Sequence, residues 1–288
     1  MKKLPMKPVF LFILVIPFFA CAQSGKNKKG STGPEKGSLV IVGGGASDAI
    51  IKRFVDLAGG NSAEIVVVPT AAGNNTYGDN ASGADKMRAF GAKKVTVLHT
   101  ADKSIANSDA FNTPLSTATG VWFGGGRQWR LVDAYKDTRA EQMFWQVLER
   151  GGVIGGSSAG ATIQGSYLAR GDTRNNQIMT GDHEEGFGFI KNIAIDQHVL
   201  ARNRHFDMFE ILRKYPNLLG ISIDERTAIV VKGNRFEVIG DHYVIIYDGK
   251  FWSKEGWGRK RLPDSNRLFY FLSPGDKYNL KKRKVMEQ

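Results

Sequence analysis

A chain of 288 residues with 42% hydrophobic and 24% charged residues has the composition of a folded α/β protein, which excludes a disordered or fibrous one. Its formal net charge of +12 raises the question of an anionic partner. Much of that charge lies near the two ends, at Lys2, Lys3, Lys7, Lys26, Lys28, Lys29 and Lys36 and again at Lys281, Lys282, Arg283 and Lys284; no base-reading motif accompanies it, so nucleic acid is not an expected partner.

The chain opens on a basic segment, residues 1–7, followed by an apolar run, 8–19, which is too short for a mature membrane span and suits a signal sequence. The run ends Phe18-Phe19-Ala20-Cys21. A small residue followed by cysteine resembles a bacterial lipobox, so residues 1–21 are expected to be a lipoprotein signal, with lipidation at Cys21 anchoring the protein on the periplasmic or exterior side. Phe18 departs from the usual leucine. Cleavage after Ala20-Cys21-Ala22 is the competing reading and would release a secreted protein. Cys21 is the single cysteine, which excludes an intramolecular disulfide and a cysteine-based zinc site. Residues 22–37, polar and rich in Gly and Lys, read as a flexible linker. The folded domain is expected over 38–250, with a C-terminal extension, 251–288, whose pattern does not dictate a fold.

From residue 38 onward, apolar runs alternate with helical spacing. Strands are expected at 39–42, 63–68, 94–98, 120–123 and 153–155, and helices at 48–57, 84–90, 104–110, 128–135 and 140–150. Val- and Ile-rich strands with little alternation suit a parallel sheet covered on both faces, and the βαβ rhythm points to a doubly wound α/β fold. The second half differs. A strand at 193–196 and a helix at 206–214 precede short strands at 220–223, 227–231, 235–239 and 243–247, which read as antiparallel hairpins packed on the same sheet.

Gly156-Ser157-Ser158-Ala159-Gly160 matches G-x-S-x-G and follows a strand, so Ser158 is the expected nucleophile, at the tip of a sharp strand-to-helix turn, with Ser157 as its rival. The Ala159 N–H at the start of the following helix would face a developing oxyanion. Of the five histidines, His198 in Asp196-Gln197-His198 ends a strand, where catalytic groups of open α/β sheets gather. Glu225, just past another strand, is the expected orienting acid; Asp224 competes with it, and Asp196 more distantly. The order Ser, His, acid separates the chain from α/β-hydrolases.

Six stretches, in order, then resemble the cyanophycinase and aspartyl-dipeptidase family of serine peptidases. They are Gly43-Gly44-Gly45, Val67-Val68-Pro69-Thr70-Ala71, Phe123-Gly124-Gly125-Gly126-Arg127-Gln128, the Ser158 turn, Asp196-Gln197-His198 with Arg202 and Arg204, and the run from Gly220 to Ala228. The resemblance implies a flavodoxin-like sheet related to class I glutamine amidotransferases. It implies Ser158 as nucleophile, His198 as base and Glu225 as its orienting acid. It also implies a second oxyanion donor from Gly124-Gly125, substrate contacts at Gln128, and a pocket shaped by Asp196, Gln197, Arg202 and Arg204. The substrate it implies is an aspartyl peptide or the β-Asp-Arg polymer cyanophycin, and the chemistry needs no metal or organic cofactor. A small-peptide dipeptidase and a non-catalytic binding lipoprotein of the same fold are the alternatives; pairing into a homodimer is an open expectation. Two positions depart from the family pattern: Asp207 stands where a third arginine is usual, and Arg127 where aspartate is frequent.

Overall fold

The structure, a computed structural model, describes residues 32–254 and 262–287. The signal and lipidation expectations, Cys21 included, lie outside these residues. In the first half the chain runs β1 (Ser38–Val42), α1 (Asp48–Leu57), β2 (Glu64–Val68), α2 (Ala84–Ala89), β3 (Lys94–Val97), α3 (Lys103–Ala106), α4 (Asp109–Thr117), β4 (Gly120–Phe123), α5 (Trp129–Tyr135), α6 (Arg139–Glu149), β5 (Val153–Ser157) and α7 (Ala159–Thr162). The five strands are parallel in the order β1-β5-β4-β2-β3. Alternate residues of each strand serve opposite faces. Val40, Val42, Ile65, Val67 and Trp122 pack against Ile50, Phe54 and Met87 of α1 and α2. Leu39, Ile41, Val66, Val68, Val121 and Phe123 face Leu115, Leu131, Phe144 and Val147 on the other side. Burial on both faces explains why these strands read as continuous apolar runs.

The helix expected at 104–110 is two helices. Asp102 accepts the Ser104 N–H at 2.7 Å and Ser108 accepts the Phe111 N–H at 3.3 Å, and each side chain starts its own helix.

The second half adds β6 (Gly165–Tyr167), β7 (Ile190–Gln197), α8 (Met208–Lys214), β8 (Leu219–Ile223), β9 (Thr227–Lys232), β10 (Arg235–Gly240), β11 (Val244–Tyr247), β12 (Tyr270–Leu272), β13 (Lys277–Asn279) and β14 (Lys284–Met286). These strands do not all join one sheet, contrary to expectation. The hairpin β9–β10 extends the first sheet antiparallel from β1, and β13 and β14 continue it, giving nine strands among the described residues. Strands β6, β7 and β8 run parallel in a second sheet, which β11 and β12 complete in antiparallel fashion. Ile193, Ile195, Ile221 and Ile223 of that second sheet share a core cluster with β1 and β5, so the carboxyl ends of β5, β7 and β8 are brought together.

Part of the stretch expected to be linker, and the C-terminal extension whose fold was left open, are parts of this fold. Residues 32–37 lie on the domain: Thr32 exchanges backbone hydrogen bonds with Lys191 at 2.7 and 3.2 Å. Residues 270–286 supply β12, β13 and β14, with Leu272, Tyr278 and Leu280 fully buried.

Candidate active site

The carboxyl end of β1 organises the site. Three successive carbonyls there each accept one N–H from a different segment. Val42 takes that of Ser158 at 3.0 Å, Gly43 that of His198 at 3.1 Å, and Gly44 that of Arg226 at 2.8 Å. The segments bearing the hydroxyl, the imidazole and the carboxylate of Glu225 are thus pinned to one stretch of backbone. Gly44 has no room for a side chain, because a Cβ there would lie 2.4 Å from His198 Nδ1.

Ser158 sits at the tip of the turn with φ 58° and ψ −113°, a strained conformation for a residue with a side chain. Gly160 packs so closely on β4 that a Cβ would stand 2.1 Å from the Phe123 carbonyl oxygen, which is why the motif requires glycine there. Ser158 Oγ lies 2.8 Å from His198 Nε2, and His198 Nδ1 lies 2.6 Å from Glu225 Oε1. A carboxylate accepting the Nδ1 proton leaves Nε2 free to accept from the serine hydroxyl. His198 is nearly fully buried, and burial lowers its pKa below the ordinary imidazole value; the Glu225 hydrogen bond opposes this and the Arg202 charge adds to it.

The rival residues are committed elsewhere. Asp224 accepts the N–H groups of Leu200 and Ala201, each at 3.0 Å, and stands 3.1 Å from His242 Nδ1. Ser157 belongs to β5, in register with Val42. His183 is held by Asp133 and Asp182, and His99 by Thr70.

Beside the turn, Gly125 lies against Ser158, with a notional Cβ 3.9 Å from Oγ. Gly124, expected to share the oxyanion role, donates its N–H to the Val68 carbonyl at 2.9 Å, continuing the β4–β2 pairing. Ala159, fully buried, opens α7.

The expected pocket residues divide. Gln128 is buried and its amide nitrogen donates to the carbonyls of Ala169 and Arg170 at 2.6 and 2.9 Å, which fixes its side chain against that backbone. Asp196 is fully buried and receives a two-pronged contact from Arg170, Nε to Oδ1 at 2.8 Å and Nη2 to Oδ2 at 3.0 Å. Gln197 Oε1 accepts from Arg204 Nη1 at 3.0 Å. Arg204 is buried, and among the described residues no carboxylate forms an ion pair with it; burial first, then the Arg170 charge, push its pKa below the ordinary arginine value. Arg202 is exposed, its N–H donated to the His198 carbonyl at 3.0 Å. Arg127 donates to the Asp172 carbonyl.

Sequence reasoning missed Arg170. It is fully buried, sits at φ 58°, and its Nη2 also reaches Asp207 Oδ2 at 2.6 Å. No motif marks it; it meets Asp196 only because β6 and β7 lie side by side. The role of the Val42-Gly43-Gly44 carbonyls was hinted at by the glycine run at a strand end.

Fold and family together make this protein a serine-type peptidase, a hydrolase on a class I glutamine amidotransferase-like α/β sheet. Residues 39–239 match Peptidase family S51, and the chain belongs to that family. It is 32% identical over 265 residues to the cyanophycinase of Geminocystis herdmanii, covering 86% of this chain and 96% of that one. To the cyanophycinase of Trichormus variabilis it is 30% identical over 268 residues, covering 86% and 88%. Among solved structures, a peptidase from an acI-B1 Actinobacterium matches at TM-score 0.64 and 25% identity, covering 86% of this chain and 98% of that one. A putative peptidase E protein from Listeria monocytogenes shares the fold at TM-score 0.54 and 16% identity, covering 72% of this chain and all of that one.

Proposed function

We propose that this peptidase cleaves aspartyl peptide or isopeptide bonds through a Ser158 acyl-enzyme, with cyanophycin, the polyaspartate bearing β-linked arginine, as its substrate. The observation that carries the reading is the hydrogen-bonded line Ser158–His198–Glu225, 2.8 and 2.6 Å, beside a buried arginine. Ser158 Oγ attacks the aspartyl carbonyl carbon while its proton passes to His198 Nε2. The oxyanion faces the N–H groups of Gly125 and Ala159. His198 then returns the proton to the leaving nitrogen, the C–N bond breaks, and the acyl group stays on Ser158. Water, deprotonated by the same imidazole, releases the aspartyl product. Glu225 keeps the imidazole in its working tautomer and balances its transient charge. Arg204, which forms no ion pair with a carboxylate among the described residues, supplies a carboxylate-binding group, and Arg202 adds positive charge.

The basic and apolar N-terminal segment supports a reading in which the enzyme is exported, held by a lipid at Cys21 or released as a secreted protein. Export suits an enzyme that degrades polymer released by other cells. The test is to incubate the full chain with cyanophycin and with α- and β-linked Asp-Arg dipeptides and to identify products by mass. Release of β-Asp-Arg from polymer is expected. Turnover of dipeptides alone makes it a small-peptide dipeptidase. No turnover of any, with no labelling by a serine-directed reagent, leaves only a binding role.

A further inference from the structure

The formal net charge of +12 is far more than the cleavage chemistry uses, and the fold gathers basic side chains at the end of the molecule opposite Ser158. Parallel strands give a sheet two unlike ends. The carboxyl ends carry the catalytic line; the amino ends lie a strand length away, about 23 Å along the eight residues of β7. Several segments meet at those amino ends. Thr32 exchanges backbone hydrogen bonds with Lys191, at the start of β7. Gly33 packs on the turn between β9 and β10, where a Cβ would stand 2.1 Å from the Gly233 carbonyl oxygen. The Leu280 N–H is donated to the Asn234 carbonyl of that same turn at 2.9 Å, which brings in the turn between β13 and β14. These contacts join the segments into one continuous surface.

Lys36, Lys191, Lys232, Arg235, Lys281 and Lys282 stand exposed on these segments, and none of them forms an ion pair among the described residues. Lys232 and Arg235 face each other across the β9–β10 hairpin. Glu35 and Glu149 line the same groove as Lys36 and Lys191, and they leave the surface with an excess of positive charge. Like charges gathered in this way repel one another, and a dense anionic surface relieves the repulsion. The same end is where the chain enters the domain. Thr32 follows Cys21 by eleven residues, Lys26, Lys28 and Lys29 among them. A stretch of that length spans at most about 40 Å.

We propose that this basic face docks on an anionic lipid bilayer, so that the enzyme lies with the amino ends of its strands on the headgroups and Ser158 on the side away from the membrane. A tether this short keeps the face at high effective concentration beside the bilayer, so weak attraction at each cation suffices. The inference rests on the reading of residues 1–31 as leader and linker, and it is independent of the bond the enzyme cleaves.

The test measures partition of the full chain, carrying Cys21→Ser to exclude lipidation, onto vesicles of phosphatidylcholine alone and of phosphatidylcholine mixed with phosphatidylglycerol. Binding to the anionic vesicles is expected to be tighter by roughly tenfold or more and to weaken as salt rises. Lys232→Glu with Lys281→Glu should erase most of that preference. The control pair, Lys86→Glu with Lys103→Glu, makes the same change of charge at the other end, where Lys86 meets Asp48 at the start of α1 and Lys103 opens α3 after β3; it should keep the preference. Residues 1–31 are common to all the variants, so the difference between the pairs reads the face, and cooperative thermal unfolding of each confirms that it is folded. A polarity-sensitive dye on Asn234→Cys should respond to anionic vesicles, and the same dye on Lys103→Cys should not. Equal partition of the Cys21→Ser chain onto both vesicles overturns the inference. So do an equal loss in the two charge-reversed pairs and a response at residue 103 instead of 234. Tighter capture by duplex DNA than by anionic vesicles overturns it in favour of a nucleic-acid partner. The anchor is tested apart, by fractionating cells that express wild type or Cys21→Ser: a chain soluble in both overturns the anchor, while the vesicles decide the face.

Discussion

At Ser158 the chain accepts backbone strain on the order of 1–3 kcal/mol to lift one hydroxyl out of the sheet toward an imidazole. Replacing it by alanine removes the nucleophile and leaves the fold. Serine-directed labelling should vanish, and kcat should fall by about 10³-fold or more, measured on whichever aspartyl substrate turns over. The pH dependence follows from His198. Its pKa lies below the ordinary value of 6.5 because burial disfavours the charged ring, and a protonated ring cannot accept the Ser158 proton. Activity is therefore full above that value and is lost as pH falls through it, so the acid limb of kcat/KM should have its midpoint below 6.5. A midpoint above 6.5 would contradict the desolvated setting. Gly44 gives a third test at this scale. A methyl group 2.4 Å from His198 Nδ1 must displace the ring, and a displacement near 1 Å costs about a hundredfold in rate. Gly44→Ala should therefore lose activity and, because the added methyl overpacks a filled site, unfold at a lower temperature than wild type.

Among elements, the end of β1 collects the segments bearing the three side chains, and the stretch after β6 is tied to the turn after β4 and to α5 by Arg127 and Gln128. His183 holds that stretch: Nε2 meets Asp133 of α5 at 2.9 Å and Nδ1 meets Asp182 at 3.0 Å. Partial burial works against its charge, but the two carboxylates outweigh this and raise its pKa. A raised folded pKa stabilises the contact below the unfolded value, and the stabilisation is lost as pH rises through the folded one. Hydrogen exchange over residues 171–186 should therefore quicken, beyond its intrinsic pH dependence, as pH passes that value. His183→Ala should remove the extra step. The pair is half in solvent, so the effect is local and small compared with global stability.

On the scale of the whole molecule, two sheets share one core, and the last strands complete both. A chain ending at Lys250 would lack Leu272, Tyr278 and Leu280, all fully buried, and would expose the edges of β10 and β11. Losing several buried side chains costs more than the 5–15 kcal/mol that a domain has to spare. Such a truncation should aggregate or show no cooperative transition by circular dichroism, although the family match ends at residue 239.

The sequence by itself determined the parallel first half, because strands buried on both faces must be apolar throughout, and it determined the Ser158 turn, because close backbone approach admits only glycine at Gly160. It singled out His198 and Glu225 by their places after strands. What only the tertiary structure decided is the division of the later strands between two sheets: a short apolar strand carries the same pattern whichever neighbour it pairs with. The same holds for the commitments of Gly124, Gln128, Asp196 and Arg170. Each is set by partners far along the chain, and a polar side chain does not announce in the sequence whether it will meet substrate or a buried counter-charge.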